Sequence, residues 1–311
     1  MTRNPVFWAY MAVLIGVFGH STSEFVSVLT GVTGPEVSVW RYVLGSSGLV
    51  LFALSRSRTR NFWLPLAERP LHNLLLAMFG LGLPMLLFHW SLDYATVIQV
   101  ATLTTTIPIW VALTNTLVNR QPLGWGKILT GGAAFVGIVV LLTDGYLEQL
   151  AGDADNLFGL FLGLSCAATG SAYSVLARPM IQQYGGIRVM ALHTGIGATT
   201  LWLVVGSVWG IWVDPFTLLD RPAGEAWALA MIGVWNTTIG MLLWFWGLAA
   251  VPDIARGSYL FFLKPVIAAT LSLALLSQPV SWLQFVAIAV ICGSVAIEFF
   301  WPRLTGQHRG A

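Results

Sequence analysis

Runs of apolar residues alternate with short polar or charged segments along this 311-residue chain. A helix needs about 20 mainly apolar residues to cross the hydrocarbon core of a membrane, and the runs reach that length. We therefore predict ten membrane-spanning helices. In chain order, the predicted spans lie near residues 6–29, 36–54, 71–91, 95–118, 124–142, 157–177, 187–210, 226–248, 254–277 and 280–301. Some connections, such as residues 91–94, are so short that the spans they join must be antiparallel.

The overall composition excludes a soluble globular protein. Hydrophobic residues make up 57% of the chain and charged residues only 9%, whereas soluble domains carry about 25% charged residues. The first span follows Arg3 and has no small-residue cleavage motif at the distance of a signal peptide, so we expect it to stay in the protein. Cys166 and Cys292 both fall inside apolar spans, where helix packing explains them better than a disulfide or a metal site.

The second half of the chain repeats the first. Met85-Leu86-Leu87 returns 156 residues later as Met241-Leu242-Leu243, and Gln121-Pro122 returns 157 residues later as Gln278-Pro279. Internal repeats of this kind are typical of membrane transporters. We expect a first five-helix repeat over residues 1–143, an outer linker over 144–156, a second five-helix repeat over 157–301 and a cytoplasmic tail over 302–311.

Positive charges lie almost entirely on one side of the predicted bundle, as the positive-inside rule requires. With the N-terminus in the cytoplasm, an outer loop holds Arg221, and Arg41 and Lys264 lie inside spans. The other 12 of the 15 Lys and Arg residues lie in inner segments: Arg3, Arg56, Arg58, Arg60, Arg69, Arg120, Lys127, Arg178, Arg188, Arg256, Arg303 and Arg309.

Five spans per half is an odd number, so the second half must enter the membrane upside down. The fold class that follows is an all-α integral membrane protein of ten transmembrane helices, arranged as two inverted five-helix repeats. Inverted repeats commonly build carriers that work by alternating access around a site near the bilayer midplane.

Several short motifs resemble the EamA-type carriers of the drug/metabolite transporter superfamily, over nearly the whole chain. They are Phe18-Gly19-His20-Ser21 in span one, Trp40-Arg41-Tyr42 in span two, Ile107-Pro108 and Lys264-Pro265 in spans four and nine, and Gln121-Pro122 and Gln278-Pro279 after those spans. The family usually has Glu-Pro at the last two sites. The resemblance implies a central cavity lined mainly by spans one, three, four, six, eight and nine. It also implies proton- or gradient-linked movement of small metabolites, often outward.

Lys264 is the most deeply placed charged residue, about ten residues or roughly 15 Å into span nine. A charge at this depth costs at least about 2.5–3.5 kcal/mol on insertion scales. Its repeat partner is Ile107, so the shared fold does not require the cation. We expect Lys264 to face the cavity and meet an anionic substrate group or a titratable partner. The alternative is a buried Lys satisfied by carbonyl groups where Pro265 kinks the helix.

Glu24 and Arg41 lie at similar depths near the outer ends of spans one and two. One interpretation is a structural ion pair between them. The other gives Glu24, Arg41 and His20 a role in gating or coupling, because a carboxyl group in a low-dielectric environment can bind and release protons usefully. For His20, packing is the alternative. His193 occupies the position that corresponds to Arg41 in the second repeat.

Six further residues are candidates for substrate binding because they lie on spans that the family uses for its cavity. They are His89 in span three, Trp110 in span four, Tyr173 in span six, Asn236 and Trp244 in span eight, and Tyr259 in span nine. Aromatic faces can stack against a ring or hold an ammonium group by cation–π attraction. Asn236 is hard to satisfy within one helix. Packing or a local hydrogen bond is the alternative for the others.

The sequence favours a secondary active transporter for a small polar or amphipathic metabolite, amino-acid-like or similar, in the inner (plasma) membrane of a bacterial-type cell. Both termini are expected in the cytoplasm, and family frequency favours export. The alternatives are an importer of an anionic or nucleoside-like solute and, from another class, a lipid flippase or an intramembrane enzyme. The catalytic motifs His-Glu-x-x-His and Gly-x-Ser-x-Gly are absent from the sequence.

The expected partners are a small-molecule substrate and the lipid bilayer. The proton is a candidate coupling ion, and a homodimer is a candidate assembly. We expect no nucleic acid, no cofactor and no metal. The sequence contains no ATP-binding loop, so an ion or solute gradient is the expected source of energy.

Overall fold

The computed structural model describes residues 4–145, 154–276 and 281–304, and its regular secondary structure within these ranges is helical. The first half comprises Pro5–Ser21 and Ser23–Val28 (span one), Gly34–Ser55 (span two), Pro70–Leu75, Leu76–Gly82 and Leu83–Ser91 (span three), Val97–Thr104 and Ile107–Asn119 (span four) and Trp125–Thr143 (span five). The second half comprises Ala154–Leu176 (span six), Gly186–Trp209 (span seven), Ala223–Met231, Ile232–Met241 and Leu242–Ala250 (span eight), Ile254–Ser258, Tyr259–Leu263 and Lys264–Leu276 (span nine) and Trp282–Leu304 (span ten). Three short helices lie between spans: Leu64–Glu68, Arg178–Tyr184 and Pro215–Asp220.

This architecture confirms the predicted all-helical membrane protein. Within the described ranges, nine of the ten predicted spans are helices long and apolar enough to cross a bilayer. Span nine is described from Ile254 to Leu276 as two helices that flank a 3₁₀ segment. Most of the predicted linker, the Gln278-Pro279 connection and most of the C-terminal tail lie outside the described residues.

Polar caps determine where two of the spans begin. At the start of span one, Asn4 Oδ1 accepts a hydrogen bond from Val6 N at 3.1 Å. At the start of span four, Thr96 and Gln99 form a capping box, in which each side chain accepts a hydrogen bond from the backbone N–H of the other. These contacts satisfy amide groups that have no partner inside the helix. They therefore set the register of two spans that carry buried polar side chains.

Spans four and nine are interrupted at repeat-related positions, before Ile107-Pro108 and at Lys264-Pro265. In span four the helix ends at Thr104 and resumes at Ile107, and in span nine the 3₁₀ segment Tyr259–Leu263 ends directly before Lys264. Proline has no N–H group and its ring clashes with the carbonyl four residues earlier, so a regular α-helix is disturbed there. Both interruptions lie near the middle of their spans.

Spans three and eight are widened at repeat-related positions as well. Leu76–Gly82 and Ile232–Met241 are π-helical. Turns of this type are rare and occur frequently at functional sites. Each half of the bundle therefore contains two neighbouring spans that are irregular near mid-length.

Spans one and eight approach each other so closely that their contact requires glycine. A Cβ atom added at Gly16 would lie 2.7 Å from the backbone nitrogen of Trp244, and one added at Gly247 would lie 2.8 Å from the carbonyl oxygen of Ala9. Small residues permit such close approach in a membrane, where the hydrophobic effect does not drive helices together. The contact joins the two halves and holds Trp244 against span one.

Buried apolar side chains form two clusters. The larger cluster draws on spans of both halves. The smaller one consists of side chains from spans five, nine and ten, including Ile138, Phe262 and Ile291. Many large apolar side chains on the outer surface are exposed, such as Leu117 and Phe285. An apolar exterior of this extent suits contact with lipid rather than with water.

Candidate functional site

A cavity with about 650 Å³ of space not occupied by protein atoms lies between the two halves, at the level of the helix irregularities. All six spans implied by the family resemblance contribute to its wall, and span two contributes as well. Its polar lining residues include His20, Ser23, Arg41, Tyr42, Thr104 and Lys264, and its apolar ones include Met85, Phe88, Met241, Trp244, Phe245 and Phe261. A concave, mainly apolar space with a few polar groups is typical of small-molecule sites.

Lys264 lies in the wall of this cavity, where it forms an ion pair with Glu24 and donates a hydrogen bond to the Glu24 carboxylate. Lys264 Nζ also donates to Thr104 Oγ1 at 3.1 Å, and this hydroxyl donates to Glu24 Oε1 at 3.3 Å. Lys264 is 4% exposed and Glu24 is 2% exposed. The three side chains join spans nine, one and four, and the ionic partner of Lys264 in the structure is Glu24.

The ion pair lies between the central cavity and a second cavity. The second cavity contains about 560 Å³ of unoccupied space and is lined by Glu24, Lys264 and mainly apolar residues such as Ile98, Ala101 and Leu142. Lys264 lines both cavities, whereas Glu24 lines the second. A movement of either side chain would therefore change the separation between the two spaces.

The interpretation of Glu24 and Arg41 as an ion pair is wrong, because Glu24 pairs with Lys264. Arg41 Nη1 donates to Ser23 Oγ at 2.7 Å, and Arg41 Nε donates to Thr237 Oγ1 at 2.9 Å. The guanidinium group is buried in the wall of the central cavity. Similar depth in the membrane did not suffice for pairing, since Ser23 faces span two whereas the adjacent Glu24 faces spans four and nine.

His89 lies beside Arg41 but outside the lining of the central cavity. Its Nε2 atom is 3.4 Å from Arg41 Nη1, and its Nδ1 atom is 3.2 Å from Ser27 Oγ. His89 borders a separate cavity near the predicted outer end of spans one, two and three. Its ring therefore helps to hold the Arg41 side chain in place.

An aromatic wall forms one side of the central cavity, and the predicted candidate Trp244 belongs to it. The ring centroids of Trp244 and Phe261 are 5.0 Å apart, and the His20 ring lies 5.6 Å from Phe261 and 6.0 Å from Trp244. Lys264 Nζ lies 5.5 Å from the centroid of Phe261. These rings offer a large apolar surface to a ligand, directly beside charged and polar groups.

The structure places Asn236 and Tyr259 outside the lining of the central cavity. Asn236 Nδ2 donates to the carbonyl oxygen of Gly19 and, at 3.0 Å, to Thr22 Oγ1. Tyr259 donates its hydroxyl hydrogen to the carbonyl oxygen of Lys127. These contacts connect span eight to span one, and span nine to span five. A partner on another helix thus accounts for the Asn236 amide nitrogen and the Tyr259 hydroxyl, whereas Asn236 Oδ1 is buried without a hydrogen-bond partner among the described residues.

Tyr173 and Trp110 also lie outside the central lining. Tyr173 Oη is 2.8 Å from His193 Nδ1, and the residue borders a separate cleft between spans three and six. Trp110 Nε1 donates to Thr106 Oγ1 at 3.1 Å, which is a contact within span four. The lining thus contains Lys264, Trp244, Arg41 and His20 among the ten predicted site residues.

Arg41 and His193 occupy corresponding positions of the repeat and make corresponding connections. Arg41 joins the first helix of its own half, through Ser23, to the third helix of the other half, through Thr237. His193 does the same through Tyr173 and, at 2.8 Å from its Nε2 atom, through Asn73 Oδ1. The connection is shared by the two halves although the side chains differ.

Several lining residues were missed by sequence reasoning. Ser23 and Tyr42 directly adjoin predicted site residues, and Phe261 lies nearly one helical turn before Lys264, so proximity in sequence was the available signal. Cys166 lines the cavity although its position suggested packing alone. The apolar lining residues lie on spans that are apolar on all sides, so no sequence pattern separates a cavity face from a lipid face.

A network of charges outside the central cavity connects the predicted inner ends of spans five, nine and ten. Lys127 Nζ lies 2.7 Å from Asp253 Oδ2, and Arg256 Nε lies 3.4 Å from Glu298 Oε1. Burial raises the pKa of Asp253, but the hydrogen bond and charge of Lys127, together with Arg256, outweigh it and hold the pKa below its usual value. Within the described part of the chain, no group of three His, Cys, Asp or Glu side chains is placed to hold a metal ion.

Comparisons with known proteins agree with this architecture. A model of the EamA-like transporter family matches the chain twice, at residues 7–143 and 157–300. An uncharacterized transporter of Bacillus subtilis (strain 168), YyaM, is 23% identical over 287 residues, which cover 89% of this chain and 88% of the relative. A Pseudomonas aeruginosa protein named "Probable biotin transporter" is 26% identical over 243 residues, which cover 77% of this chain and 75% of that protein. One crystal structure has the same fold, with a TM-score of 0.78 at 18% identity over 96% of this chain and 98% of the other.

Proposed function

Because the chain belongs to the EamA-like transporter family, we propose that it is a secondary carrier, not an enzyme, which moves a small amphipathic solute across the plasma membrane by alternating access. The observation that carries this proposal is the central cavity. Helices of both halves form its wall, and four of them are irregular at its level. In carriers built from inverted repeats, one half rocks against the other around a site of this kind.

In such a cycle, contacts that close the two ends of the cavity break alternately. Polar contacts toward each end can serve as these closing contacts. Toward the predicted inner side, His193 joins Tyr173 to Asn73. Toward the predicted outer side, the Asp93 carboxylate accepts hydrogen bonds from Gly34 N at 2.9 and 3.1 Å. A hydrogen bond contributes about 0.5–1.5 kcal/mol net, so either end can open at a cost of a few kcal/mol.

The Glu24–Lys264 pair is the coupling element in this proposal. Protonation of Glu24 removes its negative charge and leaves the buried Lys264 cation without its ionic partner. Loss of one partner of a buried pair costs about 3–5 kcal/mol, which is enough to shift a conformational equilibrium. Span nine can respond because Pro265 already interrupts its backbone hydrogen bonding. A proton gradient would then supply the energy of transport.

The lining of the cavity supports a small amphipathic solute. Trp244 and Phe261 offer an apolar surface, and Arg41 and Lys264 provide polar groups in the same wall. The Pseudomonas aeruginosa relative is named a probable biotin transporter, and biotin combines a carboxylate with a compact ring system. Biotin is therefore the first solute to test on this chain, followed by amino acids.

We propose outward transport because export is frequent in the family. A second candidate is import of an anionic solute, which the two buried cations of the cavity wall favour. Export and import differ in the direction of net solute flux that a given pH gradient drives. Imposed pH gradients of opposite sign across oriented liposomes separate them.

Counterflow in proteoliposomes tests the proposal. Vesicles loaded with an unlabelled solute should accumulate the same labelled solute transiently, because a carrier exchanges the two, whereas an enzyme converts the solute and a flippase moves lipid. Trp244→Ala should reduce counterflow at least tenfold. Trp227→Ala is the matched control, since Trp227 lies on the same span but is 72% exposed. Conversion of the solute, or no counterflow across a panel of biotin, amino acids, nucleosides and organic acids, would refute a carrier.

A further inference from the structure

Arg41 has a buried N–H group without a hydrogen-bond acceptor in the wall of the central cavity. Its Nε and Nη1 atoms donate to Thr237 and Ser23, but Nη2 has no acceptor among the described residues. Arg41 is 1% exposed. Leaving a charged donor unpaired in a buried position is costly, so a group that enters the cavity and accepts this hydrogen bond is stabilised there.

The two cations of the cavity wall differ in their charge balance. Lys264 is paired with Glu24. Within the described part of the chain, Arg41 has no carboxylate within 4.0 Å, and its protein partners are hydroxyl groups and the ring of His89. The wall therefore carries one cation that, among the described residues, has no carboxylate in ion-pair contact.

We infer that Arg41 anchors the carboxylate of a small amphipathic monoanion, in the cavity that the proposed function takes as the substrate site. Ser23 and Thr237 hold two nitrogen atoms of the guanidinium group, which restricts its orientation and leaves Nη2 for a ligand. A guanidinium group binds carboxylates through charge-assisted hydrogen bonds in a defined plane. This assigns the anion to Arg41 rather than to Lys264.

The rest of the wall fits the apolar part of such a ligand. Trp244 and Phe261 provide aromatic surface, and Met85 and Phe88 provide further apolar surface on span three. His20 Nε2 is also buried without a partner among the described residues, so it offers one additional polar contact beside the rings. A phosphate ester carries a second negative charge at neutral pH, and the second cation of the wall is already paired.

Binding to the purified full-length protein tests this inference independently of transport. Isothermal titration should compare two matched pairs of ligands, biotin with biotinamide and 4-phenylbutyrate with 4-phenylbutyramide. We expect each acid to bind about 10- to 100-fold more tightly than its amide, which is the range for one charge-assisted hydrogen bond. Arg41→Gln should reduce this preference to within about twofold.

Arg178 provides a matched control, because its Nε atom also lacks an acceptor among the described residues. Its Nη2 atom donates to the carbonyl oxygen of Val251, away from the central cavity. Arg178→Gln should keep the full preference for the acids. If Arg41→Gln fails to fold, Arg41→Lys replaces it. The lysine retains the charge but not the planar group, so the acids should bind more weakly than to the wild type while remaining preferred over the amides.

Four results would overturn the inference. They are equal binding of acid and amide by the wild type, no binding of either acid, tighter binding of phenyl phosphate than of 4-phenylbutyrate, and a preference for the acids that survives Arg41→Gln. Acid binding that depends on Arg41, without counterflow in liposomes, would refute the proposed transport and leave this inference standing. Counterflow combined with acid binding that does not depend on Arg41 would refute this inference and leave the proposed transport standing.

Discussion

Lys264 of span nine and Glu24 of span one, 240 residues apart in the chain, form a buried ion pair between the central cavity and the second cavity. The Thr104 hydroxyl contacts both side chains. Removing two charges from water is costly, and their mutual attraction repays that cost only while both partners are present. Loss of either partner would therefore leave the other as an unpaired buried group.

Glu24→Gln should uncouple transport from the proton gradient. Glutamine retains an oxygen that can accept a hydrogen bond from Lys264 but cannot take up a proton. We expect uptake driven by an imposed pH gradient to fall at least tenfold, while solute exchange at equal pH continues. Proteoliposomes loaded with buffer of a different pH measure the first quantity, and counterflow measures the second.

Glu225→Gln is the matched control for this prediction. Glu225 also pairs with a cation, Arg221 at 3.8 Å, but it is more exposed and lies at the end of span eight. Its replacement should leave gradient-driven uptake unchanged. Undiminished gradient-driven uptake by Glu24→Gln would remove this residue from the coupling mechanism.

A double-mutant cycle should show that Glu24 and Lys264 depend on each other for their contribution to stability. We expect Glu24→Gln and Lys264→Met each to destabilise the protein by up to about 3–5 kcal/mol, since each leaves one buried group without its ionic partner. The double variant should be less destabilised than the sum of the single variants by at least about 1 kcal/mol. Thermal unfolding in detergent, followed by tryptophan fluorescence, measures the relative stabilities. Additive losses would mean that the two side chains do not interact in the folded protein.

The positions of the spans could be predicted from the sequence, whereas the pairing of Glu24 with Lys264 could not. Apolar length locates a span, and the kink at Pro265 follows from a local property of proline. The partner of Glu24 depends on how spans one, four and nine are rotated about their axes. Spans that are apolar on all sides carry no pattern that specifies this rotation. Depth in the membrane was then the remaining criterion, and it favoured Arg41.

Asn236 illustrates the same limit for the site residues. An amide in the middle of an apolar span suggested a substrate contact. In the structure, its Nδ2 atom donates hydrogen bonds to the Gly19 carbonyl and the Thr22 hydroxyl on span one. The sequence shows that such a residue needs a partner. It does not show whether a ligand or a neighbouring helix supplies it. The π-helical segments of spans three and eight were likewise missed because no residue pattern marks them.

Asn236→Ala should therefore destabilise the protein without changing solute affinity. Loss of the amide leaves the Gly19 carbonyl and the Thr22 hydroxyl without this donor, which corresponds to about 1–3 kcal/mol for buried groups. We expect a lower melting temperature together with an unchanged KM for exchange of a transported solute. Trp244→Phe provides the contrasting variant, since it retains an apolar ring in the cavity but changes its shape. A KM raised severalfold by Asn236→Ala would return this residue to the substrate site.

The Lys127–Asp253 ion pair predicts a pH-dependent stability. Its side chains are 18% and 25% exposed. The lysine and Arg256 hold the pKa of Asp253 below the usual 3.8, against the opposing effect of burial. Because the pKa is lower in the folded than in the unfolded protein, the carboxylate stabilises the fold above the unfolded-state pKa. That stabilisation is lost as the pH falls through the folded-state value.

Asp253→Asn should accordingly lower stability by about 1 kcal/mol at pH 7, the upper end for partly exposed pairs, and by progressively less as the pH falls below 3.8. Asparagine can still cap the helix that begins at Ile254, so the change isolates the charge. Melting temperatures of wild type and variant between pH 7 and pH 3 measure the difference. Asp220→Asn, at the exposed end of the short helix Pro215–Asp220, is the control and should change stability little at any pH. A difference that stays constant with pH would contradict the assignment to the ionised carboxylate.

Cys166 offers a direct measure of occupancy of the central cavity, because it lines that cavity whereas Cys292 is exposed on span ten. The chain has two cysteines, so Cys292→Ser leaves Cys166 as the single thiol. A small water-soluble methanethiosulfonate reagent should modify it, and a transported solute that occupies nine-tenths of the molecules should slow the modification about tenfold, since only the unoccupied fraction reacts. In the converse variant, Cys166→Ser, Cys292 on the lipid-facing surface of span ten should react slowly, and its rate should not respond to the solute. Mass spectrometry of the intact protein follows both reactions over time. If a solute that supports counterflow leaves the rate at Cys166 unchanged, the transported molecule binds elsewhere, and the central cavity loses its place in the mechanism.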